Sequence, residues 1–192
     1  MATQDSRIKI KRSTITGTVP TVPSSNDHTD GTWIATDIYK GELFYNQADG
    51  VLWTRGDSGI ECIQGTAKLT IASADVLQLN STPLTIVPAP GAGYAIEVIS
   101  ASVKIDFNTT AYATSTNLLI SNSSSNTDQF RGGGVLASTV STFKRFILTD
   151  PTGATDTQII ENDSLIIRCD SADPTAGDSD ITIYVTYRII TL

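Results

Sequence analysis

Side chains able to do chemistry are sparse in this sequence, and their spacing is the first constraint on function. The single histidine, His28, lies in SSNDHTDG between Asp27 and Asp30. An imidazole flanked by carboxylates suits a general base or a metal site, but catalysis also needs a positioned nucleophile. No G-x-S-x-G elbow supplies one. DSADPTAGDSD gathers Asp170, Asp173, Asp178 and Asp180, an oxygen-rich loop of the kind calcium prefers. Its spacing departs from the D-x-[DN]-x-[DN]-G calcium loop, so a solvated acidic loop is the default reading. Nor does anything fix two of these carboxylates about 5 to 9 Å apart, as glycoside cleavage requires. Gly132-Gly133-Gly134 matches neither phosphate-binding glycine pattern and reads as a loop or bulge. Cys62 and Cys169 are far apart, without the C-x-x-C spacing of zinc or redox sites, and read as free, partly buried thiols. Together these residues predict no enzyme, no cofactor and no metal.

The elements that carry them read as β throughout. Hydrophobic residues make up 40% of the 192, a normal fraction for a buried core, but only 17% are charged. Serine and threonine replace the missing charges. Both disfavour helix, threonine by β-branching and serine by competing for backbone hydrogen bonds. A net charge of −7 argues against nucleic-acid binding. No run approaches the ~20 apolar residues of a membrane span. The opening MATQDSRIKIKRS lacks the apolar stretch of a secretory signal, which predicts synthesis in a cytoplasm without membrane insertion.

RIKIKRST alternates, with Ile8 and Ile10 facing one way and Arg7, Lys9 and Lys11 the other. An extended connection with Pro20 and Pro23 follows, then the hairpin GELFYNQADGVLWTR, closed by Asp49-Gly50. From Lys68 onward, short strands alternate with turn clusters: KLTIAS, VLQLN, LTIVPA, YAIEVISASVKIDF, NLLISN, GVLAS, FKRFILT, QIIENDSLIIRC and DITIYVTYRIITL. Eight or nine strands with a shared core suit a jelly-roll-like β-sandwich. The predicted organisation is therefore an extended strand-and-hairpin arm over residues 1–65, followed by a sandwich over residues 66–192. An arm without an evident closed core leaves Phe44, Leu52 and Trp53 needing a surface to cover them.

The arm resembles a short N-terminal module of tailed-bacteriophage virion proteins of the head-fibre and tail-fibre type. The resemblance rests on Ile8, Lys11, Arg12 and Ser13 of an I-x-I-K-R-S strand, on Gly41-Glu42-Leu43, and on Asn46, Ala48, Asp49, Gly50 and Leu52 of an N-x-A-D-G-x-L hairpin. It covers the first third of the chain, with a long insertion near Val22 to Tyr39. VLQLNSTPLTIVPAPGAGYAIEV similarly resembles the opening of compact jelly-roll-like domains in phage structural proteins. The resemblance implies a virion location and a homotrimer, either a head fibre or capsid decoration protein, or a short tail-fibre or baseplate protein that recognises host-surface carbohydrate. The partners it implies are identical chains, phage capsid or tail proteins, and a host glycan.

On that expectation Phe44, Leu52 and Trp53 pack against identical arms or in a groove on the virion; the alternative is that the hairpin folds back on its own chain. Arg7, Lys9, Lys11 and Arg12, with Ile8 and Ile10 between them, form the predicted anchoring strand. Its charges would dock on an acidic capsid or tail surface, or serve only as the wet face of an edge strand.

Overall fold

The computed structural model describes residues 10–57, 59–113, 116–124, 128–148 and 159–192. The chain divides into two compact units, Met1–Gly65 and Thr66–Leu192. The expectation of an all-β protein is met: its one α-helix among the described residues is a single turn.

In the first unit, β1 (Lys11–Ser13) runs parallel to β2 (Leu43–Asn46), with Arg12 opposite Tyr45. β2 and β3 (Val51–Arg55) form the antiparallel hairpin, with Phe44 opposite Trp53 and Tyr45 opposite Leu52. Alternation across the pleat sends the first pair inward and the second outward. Gly50 takes φ 67°, the left-handed conformation that closing this loop requires. β3 continues onto the first half of β4 (Ile60–Ile71), where a bulge opposite Leu52 and Trp53 leaves Ile63 unpaired.

The second unit begins in the latter half of β4. After it come α1 (Ser73–Val76), β5 (Leu84–Val87), β6 (Tyr94–Asp106), β7 (Leu118–Asn122), β8 (Asp128–Gly132), β9 (Thr142–Arg145), β10 (Ile147–Leu148), β11 (Leu165–Cys169) and β12 (Asp180–Thr191). One sheet has the order β4-β12-β6-β9 here, and the other β10-β8-β7-β11-β5. The neighbours are nested: β4 with β12, β5 with β11, β6 with β9, β7 with β8. A long hairpin rolled up on itself has this wiring, the pairs alternating between the sheets. Val103, Ile105, Ile181, Ile183 and Val185 from the first sheet, and Leu118, Ile120, Leu165 and Ile167 from the second, are all buried and form the core.

Two strands expected from sequence are absent. VLQLN continues α1 into a turn, because Val76 and Leu79, three residues apart, both reach the core while Pro83 stops further extension. GVLAS is a turn that buries Val135 and Leu136. Its strand lies earlier, in β8, where Gly132 passes so close to Phe146 that a Cβ would sit 2.8 Å from the ring. FKRFILT divides at Phe146, β9 joining one sheet and β10 the other.

The aspartates of the acidic loop act as staples between loops. Asp170 accepts hydrogen bonds from Thr116, from Asn117 through both backbone and side chain, from Ser171 and from Arg131. Asp178 accepts from Asn108, Thr109 and Thr110, and Asp173 from the backbone N–H groups of Asn80 and Ser81. Asp180 accepts from Ser73 N. Each carboxylate therefore holds a different stretch of chain.

Candidate anchoring surface of the first unit

Asn46 organises the first unit. Its side chain is buried, with Nδ2 at 3.1 Å from Ile15 O, 3.0 Å from Thr18 O and 2.6 Å from Asp49 Oδ2. Its Oδ1 accepts from Ala48 N and Asp49 N, which shapes the hairpin loop as an Asx turn. Asp49 reaches on to Gly17 N at 2.7 Å, and Gln47 N donates to Ser13 O at 2.8 Å. One turn thus binds the end of β1, the connection after it and the β2–β3 hairpin into a single unit.

β1 reverses the expected inside-outside alternation. Ile10, expected to face inward, is 42% exposed, and Arg12 is exposed, whereas Lys11 is half-buried. Lys11 Nζ donates to Asp37 O and stands 5.7 Å from the centre of the Trp33 ring. A lysine can face inward when its stem lies on apolar surface and its ammonium finds an acceptor and an aromatic face. The carboxylate of Asp37 accepts from Thr21 Oγ1 and Ile34 N. These bonds, with help from Lys11 and Arg55, hold its pKa below the usual carboxylate value.

The insertion is folded around this cation. Trp33 Nε1 donates to Ser25 O at 3.0 Å, and the Trp33 and Tyr39 rings lie 4.5 Å apart. His28 meets both rings edge-on, at 6.3 and 6.0 Å. The histidine considered as a candidate base therefore belongs to an aromatic cluster on the surface. The nearby Asp27 and Asp30 carboxylates bond Thr29 and Thr32 within their own turns.

The predicted anchoring residues consequently have different roles. Arg7, Ile8 and Lys9 lie outside the described residues. Phe44 and Trp53 are 1% and 2% exposed in the single chain, so neither requires a second copy to leave water. Trp53 Nε1 has no acceptor there among the described residues. Leu52 is half-buried on the opposite face. What reaches solvent is Ile10, Arg12 and Tyr45, along and beside β1, the terminal strand of its sheet.

No family model and no curated protein matches the chain. Among solved structures, a chain of the "Cyanophage Pam1 capsid asymmetric unit" aligns at 12% identity and a TM-score of 0.42, covering 66% of this chain and 84% of that one. A likeness this slight carries nothing over to the present chain.

Sequence reasoning did not bring Trp33, Tyr39, His28 and Lys11 together. Contacts across a long insertion leave no periodic signal. Asn46 was legible as a motif position, though not as a buried hub.

Proposed function

We propose that the chain is a non-enzymatic structural protein of a bacteriophage virion. Its first unit anchors it and its second unit is displayed, with three copies associating as a head fibre or capsid decoration. The observation that carries this reading is the convergence of the resembling positions on one module. Ser13, Asn46, Asp49 and the Asn46-bonded Ala48 form a single hydrogen-bonded turn beside the edge strand β1. That edge, with Ile10 and Arg12 exposed and Tyr45 next to them, suits docking of a further strand or a complementary acidic surface.

Two other features support it. The nested wiring of the second unit is in keeping with a jelly-roll-like reading, an architecture that capsid and lectin domains share. Asp170, Asp173 and Asp178 are occupied in stapling loops, a structural use of carboxylates. Sedimentation of the purified chain and mass spectrometry of virions from the phage encoding it test the proposal. A particle of three times 20.4 kDa, present in virions at fixed copy number, is the expected result. A monomer absent from virions would overturn it.

A further inference from the structure

The second unit carries an exposed sheet face with an unusual composition for this acidic chain. Inward Val103, Ile105, Ile181 and Ile183 fix the pleat, so their alternates point to the other face: Ser102 and Lys104 on β6, and on β12 Tyr184 and Thr182, the last covered by its neighbours. Register extends the face across β9, where Phe143 lies opposite Lys104 and Arg145 opposite Ser102. On β4, Thr70 Oγ1 lies 3.3 Å from Thr182 Oγ1, which places Lys68 on the same side. Phe143 is 61% exposed, and its ring stands 6.0 Å from that of Tyr184 at 56°. Lys68 Nζ is 5.7 Å from the Tyr184 ring centre.

Charge on this face is segregated. Asp106 and Asp180 are paired in register at one end, and both are committed, Asp106 to Lys104 at 2.6 Å and Asp180 to Ser73 N. Among the described residues Lys68 and Arg145 have no carboxylate partner. A cationic, aromatic and hydroxyl-bearing surface on a chain of net charge −7 is complementary to an anion with an apolar face.

We propose that this face binds an acidic polysaccharide, a chain of carboxylate-bearing pyranose sugars. The C–H face of a sugar ring stacks on Phe143 and Tyr184. Its carboxylate pairs with the planar guanidinium of Arg145, a geometry that arginine forks favour, or with Lys68. Thr70 and Ser102 offer hydroxyls on either side of β12 to the hydroxyls of a sugar chain laid across the strands. Nucleic acid is the weaker match, because phosphate binding calls for a broader basic footprint. The inference is independent of where, or whether, the first unit attaches to a virion.

Titration of the full chain with hexagalacturonate, followed by calorimetry and by amide shifts in NMR, tests it. Saturable binding is expected, with shifts centred on Phe143, Arg145, Lys68 and Tyr184. The fully methyl-esterified hexamer, which keeps the rings but removes the charge, should bind about tenfold more weakly. Phe143→Ser and Arg145→Gln alter exposed side chains, and each should weaken binding about five- to tenfold while leaving the circular dichroism spectrum unchanged. The proposal is overturned by absence of saturable binding, by equal affinity for the ester, or by tighter binding of a hexanucleotide. It is also overturned if Phe143→Ser lowers the sedimentation mass, which would make the face a contact between copies. Failure of this test would leave the virion assignment untouched, since that stands on copy number in particles.

Discussion

Asn46 shows how a loop motif can be a folding device. Its amide serves Ile15 O, Thr18 O and Asp49 while accepting from the N–H groups of the turn. Asn46→Ala would remove all of these part-buried bonds at once, at about 2–3 kcal/mol. Both tryptophans, Trp33 and Trp53, belong to the first unit, so tryptophan fluorescence during urea unfolding reads that unit directly. The expected result is a lower midpoint with the slope unchanged. Asp170 makes a second prediction. Burial pushes its pKa up, but hydrogen bonds from Thr116, Asn117 and Ser171 outweigh it and bring the carboxyl well below its usual range. A folded-state pKa below the unfolded value gives stability that is complete above about pH 4 and lost as pH falls through the folded value. Thermal melts followed by circular dichroism should therefore hold steady from about pH 7 to 5 and fall below about pH 4. Asp170→Asn should flatten part of that acid dependence. The Cys169 thiol, pushed up to about 12 by burial, should resist thiol reagents in the native chain longer than half-buried Cys62.

Strands were legible where one face is buried and the other wet. β6 and β12 alternate over long stretches, and their ladder runs from Asp180–Asp106 to Thr191–Tyr94. Legibility failed where another arrangement buried the same residues. Val76 and Leu79, three residues apart, share one face of a helical turn as they could not in a strand, and Val135 and Leu136 are buried by a turn with no ladder at all. β1 misled for a different reason: the sequence shows that Lys11 is charged but not that Trp33 and Asp37 await it. Bulges were equally silent, since the residue they expel, Ile99 in the β6–β12 pair, looks like any core isoleucine yet is 53% exposed. At this scale Gly177 is the sharpest test. Its φ of 92° disfavours any side chain, and a Cβ there would run into the Tyr112 ring. Tyr112 also donates its hydroxyl to Ser179 O just before β12. Gly177→Ala should cost about 2–4 kcal/mol through strain and overpacking, lowering the chain's melting temperature by circular dichroism.

At the scale of the whole molecule, the all-β class followed from composition, because few charges and many hydroxyls leave little to support helices. The candidate site was only partly legible. The motif located the module, but the outward residues Ile10, Arg12 and Tyr45 emerge only once Phe44 and Trp53 are seen to be buried by their own chain. The proposed function makes this protein a component of a virion, held by its first unit with the second exposed. Immunogold labelling of intact virions with antibody against residues 66–192 decides whether it is one. Gold at fixed positions on the particle surface is the expected outcome, over the head for a fibre or decoration protein. Virions free of gold, with the epitope shown to be accessible, would overturn the assignment.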